Sequence, residues 1–571
     1  MAVDLTRLCN RLLGDPGRGP VVLEIDLDRG VLKSVPDSPL QALRAINTPT
    51  MAVLGRALRQ AARDQRVRGL VLHLGTCPLS AAQVDELGLA LHQFSQARPS
   101  VAYAESFGEL TSAMMAYRLA TACREVWLQP SGALVLGGTH LNLLLLRGGL
   151  EKLGLEPEFS WRKEYKTAAE QYAGREISEA NREMMQRIAD SVVEETVAVI
   201  AQRRRLDADL VRQVIDRGPI KATEAVDLGF VDRIGYRDEV YQAVRDAWGA
   251  GARLQYAGRY GGSLASTLVD RVGSHREVVA MVSVHGAIVT GRDAPGSPFG
   301  GRQVGSETVC DHLRQAQRDP QVRAVVLSVD SPGGSYIASD TIRREVLRTI
   351  QLGKPVVATM GDVAASGGYF VAMGADEIVA TASTLTGSIG VLAGKIVSQG
   401  LYDKLGLIRE DVHSGALAGM FAGNRGFTPQ QWQLLDAWLD DVYADFTQKA
   451  ATDRGMDVDD LEPLARGRVW TGADAHQRRL VDHLGGLDLA VDRVCALAGL
   501  NRDRAQLRPV PLVGMLERLR PAESSEQPGG LEAATVGLDL ATPEGLTRQL
   551  GRALGLEAAG VLTMPYQVTI R

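Results

Sequence analysis

The sequence predicts an α/β protein built as a tandem duplication. Three observations carry this. Short β-branched apolar runs alternate with stretches of helical spacing, which implies parallel sheets. Whole segments of the first half recur about 250 positions later. The chain has 571 residues, enough for two proper cores.

The strand-like runs are clearest in the second half, at residues 278–284, 324–329, 356–359 and 377–380. Helical spacing marks 337–352 and 429–447. Between the halves, residues 64–72 mirror 319–327 at 319 − 64 = 255. Leu153-Gly154-Leu155 mirrors Leu405-Gly406-Leu407 at 405 − 153 = 252, and residues 229–235 resemble 479–485 at 479 − 229 = 250. The small drift means a few short insertions only. The expected organisation is an N-terminal segment (1–19), a first half (20–245), a linker (246–275), a second half (276–510) and a C-terminal extension (511–571). Within the extension, residues 521–530 read as a flexible loop.

Composition excludes several classes. The formal net charge is −5 and no block of lysines and arginines occurs, so no nucleic-acid partner is expected. Cys9, Cys77, Cys123, Cys310 and Cys495 are scattered, without a CxxC pair. Neither a disulfide framework nor a metal site is expected, and a reducing, cytoplasmic setting fits. Residues 1–14 set Asp4, Arg7 and Arg11 among leucines. The pattern reads as a short amphipathic helix with Asp4 as its expected N-cap, suited to docking on its own domain or to peripheral contact with a membrane surface. It is too charged to span a bilayer, and the longest apolar run, 133–146, is too short. No transmembrane segment is expected.

The candidate chemistry centres on Ser366, in Gly361-Asp362-Val363-Ala364-Ala365-Ser366-Gly367-Gly368-Tyr369. The matching position of the first half is Met114, since 366 − 114 = 252. Conversely Lys166 of the first half falls on Ala418, since 166 + 252 = 418. One copy keeps a candidate nucleophile and the other a candidate base. A serine hydroxyl needs a base to take its proton and donors aimed at the developing oxyanion. The Gly367 N–H, at a helix start, is one candidate donor. Gly333, in Asp330-Ser331-Pro332-Gly333-Gly334, is the other. Its first-half counterpart is Pro78 (333 − 255 = 78), which has no N–H to give. Serine and donor are thus missing together from the first half.

The residues alone leave the base open. No histidine lies between His312 and His413; His413, His476 and His483 remain candidates. A lysine serves if burial keeps it neutral. Locally, Lys166 follows Arg162 and Lys163 and reads as one more solvated cation.

The two-half layout, Ser-Pro-Gly-Gly, Ala-Ala-Ser-Gly-Gly-Tyr, Leu385-Thr386-Gly387-Ser388-Ile389-Gly390-Val391 and Tyr165-Lys166 together resemble the long form of the bacterial signal peptide peptidase A (protease IV) family, over residues 20–500. The resemblance implies a Clp-protease/crotonase-like fold in both halves, a homotetramer and a Ser/Lys dyad without metal or organic cofactor. By matching motif it makes Ser366 the nucleophile, Lys166 the base, Gly333 and Gly367 the oxyanion donors, and Ser388 the residue that positions the lysine. The expected activity is a serine endopeptidase degrading short apolar peptides such as cleaved signal peptides. Two departures stand out: no N-terminal membrane anchor is seen, and Asp330 stands where the family often has asparagine. The alternatives are a crotonase-type enzyme acting on acyl-CoA and a non-catalytic oligomeric scaffold. An α/β-hydrolase elbow fits less well, because Ala364 replaces the first glycine of GxSxG.

Overall fold

The computed structural model describes residues 19–33, 48–109, 111–249, 251–260, 277–293, 302–510 and 561–563. The helix expected at 1–14 and the loop at 521–530 lie outside the described residues. The first half contributes β1 (Val21–Asp26), β2 (Val67–His73), β3 (Ser100–Ala104), β4 (Glu125–Leu128), β5 (Ala133–Leu134), β6 (Glu156–Trp161), β7 (Ile220–Lys221), β8 (Arg233–Ile234) and β9 (Arg253–Tyr256). The second contributes β10 (Val278–His285), β11 (Ala287–Val289), β12 (Gln303–Gly305), β13 (Val322–Ser331), β14 (Gly333–Gly334), β15 (Val356–Ala365), β16 (Glu377–Ala380), β17 (Leu385–Gly387), β18 (Leu392–Val397), β19 (Val469–Thr471), β20 (His483–Leu484), β21 (Gln506–Pro509) and β22 (Leu562–Thr563).

The two main sheets share one strand order. The first runs β8-β4-β3-β2-β1-β9, and the second runs β20-β16-β15-β13-β10-β21. Every pairing along both paths is parallel. Side-chain bonds repeat as well. The Tyr117 hydroxyl donates to the Phe230 carbonyl at 2.7 Å, and Tyr369 donates to that of Leu480 at 3.0 Å. Arg204 pairs with Asp232 as Arg454 pairs with Asp482. The α/β tandem duplication expected from sequence is therefore the observed architecture.

Parallel strands covered on both faces read as continuous apolar runs. β10, β13 and β15 do, and their apolar side chains divide between two clusters. One gathers Val282, Leu327 and Ala358 with Phe370, Phe446 and the helix Tyr336–Gln351. The other gathers Val279, Val326 and Val357 under the helix Leu487–Leu497. Each fully buried valine or leucine contributes about 1.5–3 kcal/mol, which fixes the strand ends carrying the site.

Two elements differ from expectation. β15 runs on to Ala365 where the sequence suggested a stop near 359. Gly361 lets the strand pass the Asp330 side chain, whose Oδ1 accepts the Val363 N–H at 3.2 Å. Val363–Ala365 then pair with β17. Residues 253–256, placed in the linker, form β9 on the edge of the first sheet.

The chain forms two compact units. One is built from Met1–His140 and Val192–His275, the other from Leu141–Ser191 and Arg276–Val568. A first-half segment, Leu141–Ser191, thus belongs to the unit containing the second sheet. Among the described residues no helix is long and apolar enough to cross a membrane.

Candidate active site

Ser366 ends β15 and begins the helix Gly367–Ala372. Its backbone is left-handed in φ (55°, with ψ −114°), a conformation that costs a serine on the order of 1–3 kcal/mol and is held by its surroundings. The Ser366 N–H donates to the Gly387 carbonyl at 2.8 Å, and the Ser366 carbonyl accepts from Phe370 N–H at 2.9 Å. Close approach explains the two glycines that follow. A Cβ on Gly367 would lie 3.0 Å from Gly334 N and 3.1 Å from Gly333 Cα; one on Gly368 would lie 2.5 Å from the Ser331 carbonyl oxygen. The β13–β14 corner is therefore pressed against the start of the helix. There the Gly333 N–H donates to Ser331 Oγ at 3.1 Å.

Lys166 reaches the same place from the first half. β6 lies antiparallel to β18, which brings the following loop alongside the turn after β17. Tyr165 N–H donates to the Arg466 carbonyl at 3.2 Å, and Gly467 N–H to that of Ile389 at 2.7 Å. Any Cβ on Gly467 would sit 2.4 Å from Lys166 N, and one on Gly390 would sit 3.2 Å from Lys166 Cδ. Two glycines thus form the slot that admits the lysine. Its Nζ lies 2.8 Å from Ser366 Oγ, 3.0 Å from Ser388 Oγ and 3.1 Å from the Ser388 carbonyl oxygen.

Lys166, Ser366 and Ser388 are all 0% exposed. Burial alone pushes the Lys166 amine well below the usual lysine value of 10.5. Its neighbours in sequence behave differently. Arg162, partly buried, pairs with Asp436 and Asp440, and the exposed Lys163 pairs with Glu462. The reading of Lys166 as a third member of that charge cluster is corrected by its burial.

The structure brings Ser366, Lys166, Ser388, Gly333 and Gly367 together. It separates the histidine candidates from them: His476 Nδ1 faces the Val481 carbonyl at 3.3 Å, His483 Nε2 faces Glu377 at 3.1 Å, and His413 is exposed. Asp330 is engaged with the bend of β15. Sequence reasoning missed Ser331, Gly390 and Gly467. A signal for Gly467 exists, since Arg466-Gly467 repeats Arg217-Gly218 at 467 − 218 = 249. It also missed β22, whose backbone pairs antiparallel with β14, Gly333 opposite Thr563. In the first unit, Asp26, Asp28 and His73 lie within mutual reach of a metal ion. The His73 ring already faces Asp26 at 3.2 Å and Glu105 at 2.9 Å.

Comparison with known proteins agrees with this chemistry. Peptidase family S49 matches residues 92–250 and 348–501, one segment in each repeat. The serine protease SPPA, chloroplastic, of Arabidopsis thaliana is 31% identical over 507 residues, covering 87% of this chain and 72% of that protein. Protease 4 of Salmonella typhi is 30% identical over 492 residues, covering 84% and 77%. Protease 4 of Haemophilus influenzae is 28% identical over 465 residues, covering 79% and 73%. Fold and relatives together define a serine-type peptidase. The chain belongs to peptidase family S49, with the family's domain present in two segments. That assignment decides against both the acyl-CoA enzyme and the non-catalytic scaffold.

Proposed function

We propose that this endopeptidase works through a Ser366/Lys166 dyad. The 2.8 Å approach of Nζ to Oγ inside a buried slot carries the reading. Neutral Lys166 takes the hydroxyl proton as Oγ bonds to the peptide carbonyl carbon. The carbonyl π pair moves onto oxygen, which the Gly333 and Gly367 N–H groups receive. The Gly333 N–H exchanges the Ser331 hydroxyl for the oxyanion as it does so. Collapse breaks the C–N bond, and Lys166 returns its proton to the leaving amine. Water then adds to the acyl-serine with Lys166 again as base, releasing the acid and restoring Oγ–H. Ser388 holds Nζ through its hydroxyl and carbonyl, fixing the lysine's direction without taking part in bond making.

The substrates proposed are extended, apolar peptides such as released signal-peptide remnants. The β14 edge beside Ser366 already takes an extended segment of the chain, β22, as an antiparallel partner, and a peptide substrate would use the same backbone groups. We further propose a homotetramer, which would restrict access to so general a nucleophile. Free Cys77, Cys123, Cys310 and Cys495 suit a cytoplasmic setting, with peripheral contact at the inner face of the membrane.

Hydrolysis of a fluorogenic apolar peptide tests the dyad. Ser366→Ala and Lys166→Ala should each lower kcat by at least about 10³-fold with the circular dichroism spectrum unchanged. An acyl-serine probe should label the wild type and not Ser366→Ala. Hydrolysis that survives both substitutions would sink the dyad.

A further inference from the structure

One side chain touches neighbours of Ser366, Lys166 and Ser388 alike, and it is none of the residues assigned above. Arg468 immediately precedes β19. Its carbonyl accepts the Ser388 N–H at 2.7 Å. Its guanidinium lies over the ring of Tyr165, the residue before Lys166, 4.6 Å from the centroid. It lies at the same 4.6 Å from the Trp470 ring. Trp470 in turn rests on Gly387, where an added Cβ would come 2.9 Å from the indole. The Gly387 carbonyl receives the Ser366 N–H at 2.8 Å.

A guanidinium suits this place because it is planar, always charged and stacks on aromatic faces. Arg468 Nη2 pairs with Glu183 at 2.9 Å, and the Tyr165 hydroxyl donates to the same carboxylate at 2.8 Å. Arg468 and Tyr165 are thus joined twice, through the ring face and through a shared anion. Arg478 packs on Trp470 as well, at 4.0 Å, and is tied to Asp474. Arg468 Nε is buried with no hydrogen-bond partner among the described residues. An unpaired buried donor costs free energy, so stability alone would not select this placement.

The repeat gives the same answer. The offset of 249 that relates Gly467 to Gly218 carries Arg468 to Pro219 and Trp470 to Lys221 (468 − 249 = 219; 470 − 249 = 221). Tyr165 falls on Leu417 (165 + 252 = 417). The half without the serine lacks the guanidinium and the indole, and the half without the lysine lacks the tyrosine. The sandwich is missing from the equivalent positions, as the dyad is.

We propose that Arg468 is a positioning residue for the dyad: stacked between Tyr165 and Trp470, it holds the Lys166 loop and the Gly387–Ser388 turn at one fixed separation. It acts through these neighbours and not on the substrate. The proposal rests on the dyad reading above and adds the part that keeps Nζ aimed at Oγ.

Arg468→Lys tests it, because it keeps the charge and removes the plane. In hydrolysis of a fluorogenic apolar peptide it should lower kcat by about 10-fold or more with KM nearly unchanged. A loosened slot also admits water to Nζ, so the midpoint of the kcat/KM profile should move up toward 10.5. Tyr165→Leu should copy both effects, and Tyr165→Phe, which keeps the ring face, should lose less. The double variant Arg468→Lys/Tyr165→Leu should be no slower than the slower single variant, since both break one contact. A wild-type kcat and midpoint in Arg468→Lys overturn the proposal and leave the dyad standing. A fall in kcat matched by a fall in the fraction of protein that an acyl-serine probe labels, with the midpoint unchanged, shows a folding role alone and overturns it equally. Hydrolysis that survives Lys166→Ala overturns the dyad and this proposal with it.

Discussion

Lys166 shows how burial alone depresses a lysine's pKa. Desolvation is the sole cause of its shift, so nothing offsets the preference for the neutral amine. Between its depressed folded pKa and 10.5, the unfolded chain binds a proton that the folded chain does not. Stability therefore rises with pH across that window, and the lysine costs stability below it. On the proposed dyad, activity has the same sign, because only the neutral amine can accept the serine proton. The kcat/KM profile should climb to a plateau with its midpoint well below 10.5, and Lys166→Met should melt about 2 °C or more above wild type at neutral pH. A limb centred at the ordinary lysine value would contradict a buried base. This residue was legible in the sequence through the repeat comparison with Ala418 and through its family motif, not through its local pattern. Arg162 and Lys163 beside it are ion-paired, one partly buried and one exposed, and nothing in the local pattern separates the three.

At the scale of elements, the short strands at 278–284, 324–329 and 377–380 were legible because both faces are apolar and the runs are continuous. The helix at 429–447 was legible from its spacing, and it extends to Arg454 before Gly455 ends it in a left-handed turn (φ 58°). What local pattern could not show was pairing across distance. β15 looked finished at its glycine, yet its last residues gain a partner in β17, about twenty positions later. The slot for Lys166 is likewise built by Gly390 and Gly467, remote from it in sequence. Gly467→Ala should push the lysine backbone aside, since the new Cβ would lie 2.4 Å from Lys166 N and the residue sits at φ +82°. We expect kcat to fall by about 10²-fold, the size of loss a misplacement near 1 Å produces. KM should be nearly unchanged, as the peptide edge at β14 is untouched. A loss confined to KM would show that Gly467 does not act through Lys166.

For the whole molecule, the duplication was readable as offsets of 250 to 255, and the shared strand order bears it out. The division of labour was also readable, because Met114, Pro78 and Ala418 each lack the chemistry of their counterparts. What the offsets could not reveal is that Leu141–Ser191 leaves the unit of its own sheet and belongs to the other. A consequence is that one substitution should not revive the first half. Met114→Ser in a Ser366→Ala background should stay at the Ser366→Ala rate in peptide hydrolysis, since Pro78 still offers no N–H. Recovery of turnover would show that the donor at Gly333 is dispensable.

The interleaving of β6 with β18 also orders events in time. Synthesis delivers Lys166 two hundred positions before Ser366, and β18, which seats the lysine, later still. On the dyad reading, a growing chain holds a base without a nucleophile, then a nucleophile whose base is not yet docked. Chains broken off before about residue 400 would leave no working protease behind. On that reading the enzyme is silent during its own translation.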